Sequence, residues 1–258
     1  MIFDANAHIG HWPFRRLHTT TADGLLRLLD RAGIEKAAVS HTHAVFYRDP
    51  HEANAELFDA LKPHRDRLLP LATLNPEYAG WQDDLRECVE TFGMRALRLF
   101  PTYHRYDLGG ESAAQLLAAA QRLSLPISIC CAFEDSRQRH PLDTAPDLVE
   151  HPIAGAVRRF PNVRFLVTHA SLSTLDMVIR HVPQQENVAF DLSALAGPES
   201  DAARKALELL GARRLLLGTH APFKYPQVAL LRAHSTGATG ADLDDLLGGT
   251  AARLFGYS

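Results

Sequence analysis

Short apolar runs alternate with longer stretches of helical spacing along the whole chain. The runs are Ile2–Ala7, Lys36–Ser40, Leu68–Leu74, Met94–Phe100, Pro126–Cys131, Val163–Thr168, Val188–Leu192 and Arg214–Gly218. Between them, apolar positions recur with a period near 3.6, which predicts helices over Thr21–Ala32, His51–Leu61, Gly80–Thr91, Glu111–Leu123, Pro146–Phe160, Leu172–His181 and Pro198–Leu210. A last helical region ends at Phe255. Leu25, Leu26, Leu28 and Leu29 supply the apolar stripe of the first helix, and Gly33 is placed to stop it.

Most runs are continuously apolar, as in Arg164-Phe165-Leu166-Val167 and Leu215-Leu216-Leu217, the texture of strands covered on both faces. Eight strand–helix units in 258 residues predict a single (β/α)8 TIM barrel of the α/β class, one domain over residues 1–258. A doubly wound sheet is the rival, but no GxGxxG or GxxxxGK[ST] loop follows the first run.

Composition adds little to the fold and narrows the partners. Apolar residues make up 46% and charged ones 22%, ordinary values for a globular protein with a sizeable core. A formal net charge of −3 without a concentrated basic face argues against nucleic acid. The absence of a long apolar stretch argues against a membrane span. Met1-Ile2-Phe3-Asp4 does not read as a signal peptide, and Cys88, Cys130 and Cys131 lack metal-type CxxC spacing. A cytoplasmic, reducing location is the expectation, and association through the outer helices stays open.

A barrel of this kind works at the C-terminal ends of its strands. Those ends read Asn6-Ala7-His8, His41-Thr42-His43, Asn75, Arg98 ahead of Pro101-Thr102-Tyr103-His104, Cys130 ahead of Glu134-Asp135, His169, Asp191-Leu192-Ser193 and Thr219-His220. Nearly every end carries a group able to bind a metal or move a proton, whereas the strand bodies are apolar. His8, His169 and His220 are therefore the first candidates for chemistry. His18, His51, His64, His151, His181 and His234 fall in helices or loops and read as surface residues.

These strand ends resemble the amidohydrolase superfamily, in its second, decarboxylase-like branch. The resemblance rests on Phe3-Asp4-Ala5-Asn6-Ala7-His8-Ile9-Gly10, Leu125-Pro126-Ile127-Ser128-Ile129-Cys130, Val163–His169, Leu217-Gly218-Thr219-His220-Ala221-Pro222-Phe223, and the tail Leu246–Gly256. It implies the barrel fold and a site of four histidines and one aspartate around metal. The matching positions here are Asn6, His8, Cys130, His169 and His220, so three of the five ligand types have changed.

Two readings of the site follow. In one, three or four of His8, Cys130, His169 and His220 hold a single divalent metal, zinc being the best match to imidazole and thiolate, and Asp191 or a non-ligating His220 acts as base. In the other, no metal binds, as the resemblance implies for some lactonases of the superfamily, and histidines and arginines polarise an anionic substrate. Cys130 is equally a small core residue. Arg15 in Trp12-Pro13-Phe14-Arg15-Arg16, Arg98, Tyr103, His104, and the long-loop residues Glu134, Arg137 and His140 are candidate substrate contacts. Arginine grips carboxylates in a bidentate fashion, so the expected partner is a small carboxylated ester, lactone or amide. The expected activity is its hydrolysis, with metal-dependent decarboxylation or ligand binding without catalysis as alternatives. For the Glu134–Arg139 segment a solvated loop held by its own ion pairs is the alternative.

Overall fold

The apolar runs become parallel strands and the stretches between them become helices in the computed structural model, which describes residues 1–257. In chain order the elements are β1 (Phe3–Ile9), α1 (Ala22–Arg31), β2 (Lys36–His41), α2 (His51–Leu61), β3 (Leu68–Pro70), β4 (Ala72–Thr73), α3 (Trp81–Glu90), β5 (Leu97–Leu99), the one-turn α4 (Pro101–His104), α5 (Glu111–Arg122), β6 (Ile127–Cys130), α6 (Glu150–Arg159), β7 (Phe165–Thr168), α7 (Leu172–His181), β8 (Val188–Asp191), α8 (Ala202–Leu210), β9 (Leu215–Leu216), α9 (Pro226–Ser235), α10 (Gly240–Asp244) and α11 (Thr250–Phe255).

Every strand pairing is parallel, in the order β1-β2-β3 and then β4-β5-β6-β7-β8-β9. The run expected as one strand from Leu68 to Leu74 is divided at Leu71. Pro70 brings no N–H to the ladder, and the chain turns its bonding from Val39 (Leu71 N–H, 2.8 Å) to Ala96 (Ala72 N–H, 2.9 Å). Across this joint the two sheets form one barrel wall. The barrel closes where β1 meets the segment after β9. Ala5 donates to Leu217, His220 to Asn6 and His8 to Ala221, each at 2.8 Å. The architecture is the expected α/β barrel.

Helix starts follow local chemistry. The Thr21 side chain caps α1 by accepting from the Gly24 amide at 3.2 Å, and Gly33, at φ +69°, follows its end. Two helices start later than their spacing predicts. Leu148 donates its amide to the Cys131 carbonyl, so Pro146–Val149 lie along the barrel and α6 begins at Glu150. Ser200 folds back onto the Gly197 carbonyl and then accepts from the Ala202 amide, which delays α8 to Ala202.

Apolar packing falls into three regions. The largest lies between strands and helices, with Leu25, Leu29, Leu57, Leu116 and Ile153 facing the strands. A plug at the N-terminal end joins Phe3, Leu69, Leu71, Leu166 and Leu216 to Leu254 and Phe255 of α11. An aromatic layer at the opposite end contains Trp12, Phe100, Phe133 and Phe223. Polar chemistry is confined between plug and aromatic layer. Among the described residues no helix is long and apolar enough to cross a membrane.

Candidate active site

β1 carries a bulge between Asp4 and Ala7, and such irregularities re-aim side chains beside functional sites. Asp4 is fully buried. Its carboxylate accepts from the amides of Asn6 and Thr219, both at 2.9 Å, and from the Thr219 hydroxyl. This clamp fixes β1 against the turn that bears His220. Burial pushes the Asp4 carboxyl up to about 6 despite those hydrogen bonds.

His169 and His220 follow β7 and β9 directly, in left-handed conformations at φ +59° and +57°. Such a backbone costs on the order of 1–3 kcal/mol in a non-glycine residue and concentrates at functional sites. It is held here by the His169 amide donating to Asp191 Oδ1 (3.1 Å) and the His220 amide donating to the Asn6 carbonyl. The result brings His8, His169 and His220 together, with one ring nitrogen of each within 4.8 Å of the others. Ring centroids are 4.0 Å apart for His169 and His220, and 5.0 Å for His8 and His220. Burial holds all three well below the ordinary imidazole range, so they are neutral. Ser40 bonds His8 Nδ1 at 2.9 Å, while His8 Nε2 and both nitrogens of His220 have no hydrogen-bond partner among the described residues.

Phe133 roofs the three rings, lying flat over His169 (6.1 Å) and edge-on to His8 (5.0 Å) and His220 (5.1 Å). Trp12 stacks on Phe133 at 4.5 Å, and Phe223 stacks on His220 at 4.6 Å. A cavity of about 200 Å³ opens beside this roof and reaches His169 and His220. Of the two cations lining it, Arg15 is engaged by Glu134 at 2.9 Å. The other, Lys224, donates to the Ser193 carbonyl at 2.8 Å and faces the cavity with no carboxylate in ion-pair contact among the described residues, although Asp135, which also lines the cavity, bears on its charge. Burial lowers its ammonium from the ordinary lysine value.

Beneath the histidines lies a network centred on Asn6. Its amide nitrogen bonds Asp191 Oδ2 (2.7 Å) and His169 Nε2 (2.8 Å), and its Oδ1 accepts from Arg98 Nη1 (2.5 Å). Arg98, 1% exposed, also donates to the Ala5 carbonyl at 3.1 Å. Asp191 Oδ1 accepts from the Ser193 hydroxyl, the Ser193 amide and the His169 amide. Because the Asn6 nitrogen donates to it, His169 Nε2 has its lone pair engaged and the proton sits on Nδ1. The three histidines thus offer free lone pairs from two rings, and the set does not fit a metal ion held by three imidazoles.

Several expectations change with this geometry. Asp191 is not a free base: both oxygens are engaged, and burial raises its carboxyl. It positions Asn6 and His169. Cys130 stands apart from the cluster of ring nitrogens, packed with Phe100 and Phe133 because its strand position faces the aromatic layer. Burial pushes its thiol up to about 12. Arg98 acts under the histidines rather than on substrate. Arg15 and Glu134 do line the cavity, as a pair with each other.

Tyr103 bonds Asp143 at 2.9 Å in a separate depression, and His104 donates to the Ala44 carbonyl at 2.8 Å, tying two loops together. Arg137 is 86% exposed and paired with Asp135, and His140 stacks on Phe14 at the surface. Within the Glu134–Arg139 segment, Arg137 therefore matches the solvated alternative, and His140, just beyond it, lies outside the cavity. Sequence reasoning missed Lys224, Phe133, Phe223 and the Asp4 clamp. Lys224 lies four residues past His220, within reach of the same strand end.

No curated protein matches the chain. Among solved structures it resembles 2,6-dihydroxybenzoate decarboxylase from Rhizobium (16% identity, 99% of this chain and 98% of that one, TM-score 0.75). It also resembles a dihydroxybenzoic acid decarboxylase from Polaromonas with bound manganese and 2-nitroresorcinol (18%, 99% and 96%, 0.75). A third is an amidohydrolase from Burkholderia multivorans with bound HEPES (16%, 99% and 99%, 0.74). At these identities the likeness establishes the barrel fold. A family model described as amidohydrolase matches residues 4–257, so the chain belongs to the amidohydrolase family, in its amidohydrolase 2 branch.

Proposed function

We propose that the protein hydrolyses an ester, lactone or amide bond in a small carboxylated molecule, using its own side chains. The observation that carries this reading is the convergence of two neutral imidazoles with unpartnered nitrogens, His8 and His220, on a third, His169, whose Nδ1 is fixed as a donor.

Each residue takes a role in this reading. Water held by His8 Nε2 and His220 attacks the substrate carbonyl while His220 takes its proton. His169 Nδ1–H donates to the oxygen on which negative charge develops, in a site that Phe133 and Phe223 keep dry. The proton then passes from His220 to the leaving oxygen or nitrogen as the carbon–heteroatom bond breaks. Lys224, with no carboxylate in ion-pair contact among the described residues, takes the substrate carboxylate. The cavity suits a compact molecule.

The test is turnover on a panel of carboxylated lactones, esters and amides, each paired with a neutral analogue. Wild type should hydrolyse a carboxylated member, and His220→Asn should reduce kcat at least about a hundredfold, the usual scale of a general base. Lys224→Met should raise KM for the carboxylated substrate and leave the neutral analogue unaffected. Undiminished turnover in His220→Asn would sink the reading. Release of CO2 from a carboxylated aromatic, with no hydrolysis of any panel member, would replace it with decarboxylation.

A further inference from the structure

The orientation of one amide decides more than a tautomer. Arg98 only donates, so the Asn6 atom facing it is the oxygen. An ionised Asp191 only accepts, so the Asn6 atom facing it is the nitrogen. Flipping the amide would set NH2 against a guanidinium and oxygen against a carboxylate. Both outer partners thus impose the same orientation, and the second N–H of Asn6 is left aimed at His169 Nε2. A protonated Nε2 would oppose that N–H, so His169 keeps its proton on Nδ1. In that form neither nitrogen has a lone pair to give a cation.

Charge points the same way. Arg98 is buried below the three histidines, and its positive charge bears on each of them. Asp191 already accepts from Asn6, Ser193 and His169, and the neighbouring Asp4 from Asn6 and Thr219. A dication placed among these rings would meet a fixed guanidinium and no free carboxylate.

We infer that Asn6 and Arg98 stand in for a metal ion: Arg98 supplies the buried positive charge, and Asn6 makes the bonds to His169 and Asp191 that would otherwise fall to a cation. Asn6 is then the residue that keeps metal out, and changing it to histidine removes the N–H that engages His169 Nε2 while adding a ligand. This rests on hydrogen-bond directions and not on the reaction. A metal-free wild type that cleaves none of the panel would leave it standing, whereas a metal-dependent hydrolase would overturn it and leave hydrolysis intact.

Two other groups, His41 with His43 and Glu56, and Glu150 with His151 and His181, could collect added metal elsewhere. The full chain carrying His43→Ala and His151→Ala is therefore the background for elemental analysis after dialysis against zinc or manganese. In that background no stoichiometric metal should remain, and adding Asn6→His should introduce one equivalent that His220→Ala removes. In wild type, long-range 15N–1H correlation spectra should place the His169 proton on Nδ1. One equivalent of metal in the background protein that His220→Ala removes would overturn the inference. So would a His169 proton on Nε2, or a folded Asn6→His chain that gains no metal. The tautomer measurement decides the matter even where Asn6→His fails to fold.

Discussion

Replacing Arg98 with methionine tests the network under the histidines most directly. Methionine has comparable length and no donor, so Asn6 Oδ1 and the Ala5 carbonyl lose the bonds that Arg98 gives them. An orphaned buried polar group costs about 1–3 kcal/mol. Removing one member of a buried charge pair costs about 3–5 kcal/mol, because the other is left without compensation. Arg98 reaches Asp191 through Asn6 rather than by contact, and one guanidinium underlies all these terms. The expected loss is therefore about 3 kcal/mol, toward the lower end of that range.

The loss has a direction in pH. Burial already raises the Asp191 carboxyl, and Arg98 opposes that rise. Without Arg98 the folded-state value climbs further above the unfolded one. A carboxyl raised in the folded state stabilises fully below its unfolded value, and that stability is lost as pH rises through the folded value. Arg98→Met should thus be more destabilising at pH 8 than at pH 5. Urea unfolding followed by circular dichroism at both pH values measures this, with Arg98→Lys as the charge-retaining comparison. A variant within about 1 kcal/mol of wild type at pH 8, or an equal loss at both pH values, would refute the reasoning.

Asp4 gives a second pH signature. Its carboxyl is raised from 3.8 to about 6, so its contribution is complete below pH 4 and is lost as pH rises through 6. Between pH 4 and pH 7, Asp4→Asn should gain about 2 kcal/mol relative to wild type, and parallel stability curves would contradict this. Phe133→Ala should cost about 3–5 kcal/mol by opening a cavity in the aromatic layer. It should also admit water to the three histidines and move their titration toward the ordinary imidazole value, seen by histidine NMR. Unchanged titration would show that Phe133 is not what keeps them dry.

Hydropathy was enough to read the barrel. The eight apolar runs fall on the strands, and His51–Leu61 and Leu172–His181 match α2 and α7 at both ends. His8, His169 and His220 were legible because strand ends fix position before side chains are placed. Periodicity carries no information on where a loop side chain points, and this is why Arg137, His140, Tyr103 and His104 were grouped with a site they do not enter. Lys224 and Phe133 were missed for the same reason. Cys130 sits at the right height on the barrel but faces Phe100 and Phe133. Asn6 was visible only as a lost ligand. Its role needs Arg98 and Asp191, 92 and 185 residues away, to be known as neighbours.

Closing the barrel and building the site are one structural event. The seam between β1 and the segment after β9 has no continuous ladder. It is made by the bonds from Ala5, His8 and His220 and by a single bridge between Ala7 and Ala221. The Asp4 carboxylate reinforces it through Thr219, and the Asn6 carbonyl receives the His220 amide while its side chain gathers His169, Asp191 and Arg98. The backbone strain at His169 and His220 is restrained by these same residues. A change at Asn6 therefore acts on the closure of the barrel as well as on the imidazoles, whereas the Lys224 side chain meets this region only through the Ser193 carbonyl, so that replacing it acts chiefly on ligand preference. Substitutions at the two positions should separate accordingly, with stability and tautomer moving together at Asn6 and chiefly affinity moving at Lys224.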